Sequence, residues 1–202
     1  HLAGIILRGD RKPGDMLGTE SSMTEELQVS RTVLREAIKV LSGKGLVESR
    51  QGAGTRVLPQ ERWNLLDRDV LGWMIAEKPA ETFMWDLHEL RAGIEPAAAA
   101  LAAKRATDAD MATLAEACDD MAASGRDVEA FATADLKFHL TVLHASHNDF
   151  YRALATGVRT ALIVYLRMTG EDAAAFDQGR PLHLAVLQAI RAGQAAQAAA
   201  AM

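Results

Sequence analysis

The sequence predicts a mainly α protein in two parts: a small N-terminal domain of helices and one hairpin, then a C-terminal all-helical bundle. Three observations carry this. Glycine and proline punctuation, with two short strand-like runs, is concentrated in the first sixty residues. Beyond them apolar residues recur at helical spacing in segment after segment. The charge divides at the same place: residues 1–60 carry nine Lys+Arg against seven acids, a net of +2, and residues 61–202 carry 13 against 20, a net of −7. The whole-chain value of −5 averages the two and, taken alone, argues against a nucleic-acid partner.

In the first part, Lys12-Pro13-Gly14-Asp15 reads as a turn and Glu20 to Leu27 as a short helix. Ser30 is a good N-cap for an amphipathic helix over residues 30–42, with Val33, Leu34, Ala37, Ile38 and Leu41 at helical spacing. Leu46-Val47-Glu48-Ser49 and Thr55-Arg56-Val57-Leu58 flank a Gly-Ala-Gly tip and read as a β-hairpin. That order of elements is a winged helix-turn-helix over residues 1–60. Trp63 to Glu77 reads as a helix linking it, within residues 61–79, to the bundle of residues 80–202.

The bundle is expected to hold a helix from about Ala80 to Lys104, broken or kinked at Pro96. Thr107 or Asp108 caps the next, through about Ala123, and a further one runs from Asp127 to about His144. Phe150 to about Met168 is the fifth, and Pro181 to Ala192 the sixth, with Pro181 in its first turn. Gln194 to Met202 reads as a seventh. Apolar residues at 49% and charged ones at 24% describe a folded chain rather than a disordered one. No apolar run reaches the roughly 18 residues of a membrane span, and no signal peptide is evident. The single cysteine, Cys118, has no internal partner for a disulfide, so a reducing, cytoplasmic setting is expected.

A helix-turn-helix reads DNA with the N-terminal residues of its second helix. Here those are Ser30-Arg31-Thr32-Val33-Leu34-Arg35. Arg31 and Arg35 are four apart, hence on one face, and an arginine can bond guanine or phosphate bidentately. Ser30 and Thr32 can bond phosphate oxygens. By themselves two arginines on a helix are as simply a solvated face. The surroundings weigh the other way: Gly9-x-x-x-Pro13-Gly14-Asp15-x-Leu17-x-x-Glu20, Val29-Ser30-Arg31-Thr32-Val33-Leu34-Arg35-Glu36-Ala37, Leu41-x-x-x-Gly45-Leu46-Val47 and Gly52-x-Gly54-Thr55-x-Val57 resemble the DNA-binding domain of the GntR family of bacterial transcriptional regulators across residues 4–58. The resemblance implies that Arg31 and Arg35 contact double-stranded operator DNA, helped by Ser30, Thr32 and the wing tip at Gln51 and Gly52. Gly18 and Ser21 depart from the family's usual proline and arginine, and the second costs one expected DNA contact.

In the acidic part, Asp135 and His139 are also four apart and project from one helix face, where they can ligate one metal or simply form an ion pair. Arg91-x-x-x-Glu95-Pro96, Asp135-x-x-Phe138-His139, His147-Asn148 and His183-x-x-x-Leu187-x-Ala189-Ile190-x-x-Gly193 resemble the FCD effector domain of the family's FadR-type branch. That resemblance implies a divalent metal held by Asp135, His139 and His183, with a further histidine near position 205, beyond Met202. Zn²⁺ suits an Asp/His set best, ahead of Ni²⁺ or Mn²⁺. It also implies that Arg91 neutralises a small carboxylate effector; Arg159 and Arg167 are further candidates for that contact. His144 and His147, five and eight residues past His139, are rotated about 140° and 80° from it on an ideal helix. The stretch from Trp63 to Trp73 resembles that of regulators of galactonate and related sugar-acid catabolism, which implies a sugar-acid effector.

The expected protein is thus a homodimeric, metal-dependent regulator, a repressor released from its operator by a sugar acid, with no membrane association. Two recognition helices on a palindromic site imply the two-fold dimer. The competing class is a metal-dependent hydrolase or lyase centred on Asp135, His139 and His183. It needs a general base or nucleophile that the sequence does not offer, and it leaves the first 58 residues without a role.

Overall fold

The computed structural model describes residues 1–50, 54–77, 80–169 and 173–202, with side chains left undescribed at 80–82, 84, 161, 164–169 and 173–178. The chain divides into two compact units, His1–Pro79 and Ala80–Met202.

In the first unit α1 (Leu2–Leu7) is followed by β1 (Met16–Gly18), α2 (Glu20–Leu27) and α3 (Arg31–Gly43). The strands β2 (Val47–Arg50) and β3 (Gly54–Val57) come next, and then α4 (Arg68–Glu77). Thr19 and Ser22 form a reciprocal cap on α2. Gln28 ends that helix in the left-handed region at φ 52°, which turns the chain into α3. Leu34, Ile38 and Leu41 bury the inner face of α3 in a core shared with Ile6, Leu17, Met23, Leu46, Val47 and Val57, all under a tenth exposed. The sheet is antiparallel in the order β1-β3-β2, with Val47 opposite Val57 and Ser49 opposite Thr55. This is the expected winged helix-turn-helix, with β1 added. Three residues are too short for a strand signal, and β1 exists because β3 offers it an edge.

Gly45, between α3 and β2, sits at φ +76°, and a Cβ there would collide with the Arg62 carbonyl. Gly45→Ala is therefore expected to destabilise this unit by roughly 1–3 kcal/mol. Gly43→Ala, with open space around it and a helical backbone, should be neutral or mildly stabilising. Urea midpoints of the two variants check this; equal midpoints would contradict the close approach.

The helix expected from Trp63 begins only at Arg68. Asp67 Oδ1 accepts the N–H groups of Asp69 and Val70 at 2.9 and 3.2 Å, so it acts as the start signal. Trp63 is buried instead, its indole donating to the Leu58 carbonyl at 2.9 Å. The half-turn before α4 is further held by Lys44, which reaches Asp67 and Asp69 at 2.6 and 2.8 Å, and α4 packs on α1 through Arg8 and Glu77.

The second unit is a bundle of α5 (Ala80–Arg105), α6 (Asp108–Ala123), α7 (Val128–Ala145), α8 (Asp149–Ala153), α9 (Ala155–Thr169), α10 (Ala173–Arg191) and α11 (Ala195–Ala201). Thr107 and Asp127 cap α6 and α7 through their side chains. α7 is the central helix: it packs against α5, α6 and α9, and Phe131, Phe138, Val142 and Leu143 are buried along it. The fully buried Ala98, Ala99 and Ala102 of α5, with Ala198 of α11, keep the facing backbones close.

Three expectations are corrected. Pro96 does not break α5; it removes one N–H, and the alanines after it are strong helix formers packed in the core. The fifth helix is two, α8 and α9, divided at Leu154. The sixth begins at Ala173, with Pro181 inside it. Arg180 explains how that turn is held, donating to the Met121 and Gly125 carbonyls at the end of α6 at 3.0 and 2.6 Å.

Candidate metal centre and nucleic-acid interface

α3 presents its polar face outward. Ser30 Oγ accepts the Val33 N–H at 3.3 Å, so the cap hydroxyl starts the helix and keeps its own proton to donate. Arg31, Thr32 and Arg35 are all exposed, and neither arginine has an ion-pair partner among the described residues. Two uncommitted guanidinium groups on one turn favour an anionic partner. Arg35 also lines a groove of about 650 Å³ between α2, α3 and the two long strands, beside Lys39 and Arg50 and above Met23 and Ile38. Those last two cations escaped the sequence reading, although Lys39 follows Arg35 by four residues on the same face. Gln51 and Gly52 lie outside the described residues.

The second unit brings Asp135, His139 and His183 together from α7 and α10, and one ligand atom from each lies within 4.8 Å of the others. All three are largely buried, at 7% and 8% exposed for Asp135 and His139 and 12% for the His183 side chain. Asp135 Oδ1 lies 3.0 Å from His183 Nε2 and 3.7 Å from His139 Nε2, and the two Nε2 atoms are 3.3 Å apart. Each imidazole is turned that way by its other nitrogen. His139 Nδ1 lies 2.7 Å from Glu95 Oε2, and His183 Nδ1 lies 2.8 Å from the Gly179 carbonyl. Carboxylate and carbonyl oxygens only accept, so both Nδ1 atoms carry protons. The donor set therefore fits a divalent ion of the Zn²⁺ type: two Nε2 atoms and one carboxylate oxygen converging, with both ring orientations fixed from outside. Phe138 closes one side, edge-on to both rings at centroid distances of 4.9 and 5.9 Å.

The charges are strongly coupled. Burial alone would raise the Glu95 carboxyl, but the charge and hydrogen bond of His139, joined by those of Arg91, bring it down to about 2. Burial would lower His139, yet the Glu95 charge and the Asp135 hydrogen bond push it up to about 9. Burial likewise works against the Asp135 carboxylate, and the two histidines hold it well below the usual range.

Arg91 stands at this cluster. Its Nε donates to Glu95 Oε1 at 2.7 Å, and its Nη2 lies 3.3 and 3.2 Å from the two ring nitrogens of His139. Near-equal distances to both nitrogens place the guanidinium over the ring face rather than in its plane. Arg159 is not brought there: it is exposed, and with burial and Arg152 it lowers the pKa of His144. The Arg167 side chain lies outside the described residues. His144 and His147 are exposed and outside the cluster, as expected, with His147 bonded to Asp110 at 2.9 Å. Glu95 was legible only as part of a motif; its contact with His139 spans 44 residues and has no local signal.

A winged helix-turn-helix with an exposed cationic second helix, joined in one chain to a helical domain with a buried polar centre, is the architecture of a transcription regulator. The chain belongs to the GntR family: residues 1–57 match the model described as "Bacterial regulatory proteins, gntR family", and residues 86–202 match the FCD domain. It is 35% identical to the galactonate operon transcriptional repressor of Escherichia coli (strain K12), over 98% of this chain and 88% of that one. It is 32% identical to the HTH-type transcriptional regulator LutR of Bacillus subtilis (strain 168), over 98% and 91%. A solved Streptococcus agalactiae GntR structure aligns with a TM-score of 0.55 at 25% identity, covering 99% of this chain and 91% of that one. The family and these relatives are regulators of transcription, not enzymes, which sets aside the hydrolase or lyase alternative. Among the described residues no helix is long and apolar enough to cross a membrane.

Proposed function

We propose that the protein is a cytoplasmic repressor of sugar-acid catabolism genes that leaves its operator when an acid such as galactonate binds at a divalent metal in the C-terminal unit. The observation that carries this is the convergence of His139 Nε2, His183 Nε2 and Asp135 Oδ1, beside the half-buried Arg91. The name of the Escherichia coli relative supports galactonate as the first acid to try. Asp135, His139 and His183 hold the ion, and Arg91 neutralises the acid's carboxylate. A bound Zn²⁺ would supply Lewis-acid affinity for the acid's oxygens; Ni²⁺ and Mn²⁺ are the competing ions. On the DNA side, Arg31 and Arg35 read the major groove, Ser30 and Thr32 bond phosphates, and Gln51 and Gly52 approach the minor groove. A homodimer places two such helices on a palindrome. By linkage, operator DNA weakens acid binding by the same factor that acid weakens DNA binding.

A thermal-shift series of galactonate, other sugar acids and lactate, with and without chelator, tests this. One acid should raise the melting temperature only when metal is present. A rise that persists in chelator would overturn the metal-centred reading.

The raised pKa of His139 adds a pH prediction. Its proton must leave before Nε2 can bind a metal, so below pH 9 each unit of acidification should cost about tenfold in zinc affinity from this group. For the metal-free fold the sign reverses: protonated His139 stabilises at pH below about 6.5, and this stabilisation is lost as pH rises through about 9. Zinc-buffered chelator titrations at several pH values check the first, and melting of the metal-free protein the second. A flat zinc profile would contradict the coupling.

A further inference from the structure

We infer that Glu95 is the positioning residue of the metal centre, one carboxylate that sets the tautomer of His139 and the place of Arg91 together. The inference rests on the metal reading above and deepens it. Glu95 lies on α5 and is 3% exposed, so its two oxygens are committed to what they touch. Oε2 is 2.7 Å from His139 Nδ1, and Oε1 accepts the Arg91 Nε–H at 2.7 Å.

A neutral imidazole carries one proton. Held on Nδ1 by an acceptor-only oxygen, that proton leaves the Nε2 lone pair facing Asp135 and His183. Without Glu95 the proton can move to Nε2 and hydrogen-bond toward Asp135 Oδ1, 3.7 Å away. That tautomer has no lone pair where the ion would sit. Glu95 thus excludes the form of His139 that competes with metal. His183 is held alike by a backbone carbonyl, which substitution cannot remove, so Glu95 is the adjustable half of the pair. Through Oε1 the same carboxylate holds the Arg91 Nε–H and keeps the guanidinium over the His139 ring.

The test is Glu95→Gln in the full chain, titrated with zinc against a competing chelator. The expected result is a roughly 10–100-fold loss of zinc affinity. Histidine ¹⁵N spectra of the metal-free protein above about pH 9, where the His139 imidazole is neutral, supply a readout that a merely structural role would not move. The wild type should show His139 protonated at Nδ1 alone, and the variant a second tautomer protonated at Nε2. Glu116→Gln, which removes an exposed carboxylate paired with Lys137, is the charge control and should change neither. If Glu95→Gln does not fold, Glu95→Asp keeps the charge but withdraws it from Nδ1 by one methylene, and must show the same two losses. Unchanged affinity with a single tautomer in the folded variant overturns the role of Glu95 while leaving the metal reading intact. A wild type that takes up no zinc overturns both.

Discussion

Arg35→Ala, like Arg31→Ala, is expected to abolish operator binding in a gel shift while leaving the fold untouched. A bidentate arginine–guanine pair is worth about 1–3 kcal/mol, and a two-fold complex loses it twice. Each variant should therefore weaken binding by roughly 30-fold to 10⁴-fold. Both side chains are exposed, so circular dichroism and melting should stay at wild-type values. Acid and zinc binding, proposed for the other unit, should also be unaffected. Lys39→Ala, on the groove beside Arg35, supplies a contrast: a phosphate contact there would weaken all sequences alike and lower the salt slope by about one. A gel shift unchanged by loss of Arg35 would mean that α3 is not the reading helix.

The second large effect concerns the buried centre. His139→Ala should take bound zinc from about one equivalent per chain to none by elemental analysis, because three candidate ligands become two. The response of operator binding to the acid should vanish with it, while operator binding itself persists. His139→Ala also removes one of the partners of buried Glu95, so some loss of stability is expected. Asp135→Asn separates the two effects: it keeps the side-chain volume and removes the anionic ligand. Wild-type zinc content in both variants would show that the ligand set lies elsewhere.

Where local chemistry dictates structure, sequence and structure agree closely. Ser30 before an amphipathic run marked the start of α3, which the structure begins at Arg31. Thr107 and Asp127 likewise marked α6 and α7 to within a residue. The helix continues through Pro96, where the sequence predicts a break or kink, and α10 starts before Pro181, because each helix tolerates one missing N–H while its neighbouring turns pack in the bundle. Periodicity alone also carried the linker helix too far toward Trp63, whose burial under the Leu58 carbonyl is a tertiary event.

The sequence by itself determined the class of this protein. It marked two domains of opposite charge, a cationic helix behind Ser30, and an Asp135–His139 pair on one helical face. Each of these depends on residues within a turn or two of one another, where spacing is geometry. The family resemblance named His183 and Arg91 beside that pair, but only the tertiary structure decided that they and Glu95 meet it. His183 arrives from another helix 44 residues on, and Glu95 and Arg91 from one as far back. No periodicity links residues that distant; the packing of α5, α7 and α10 does.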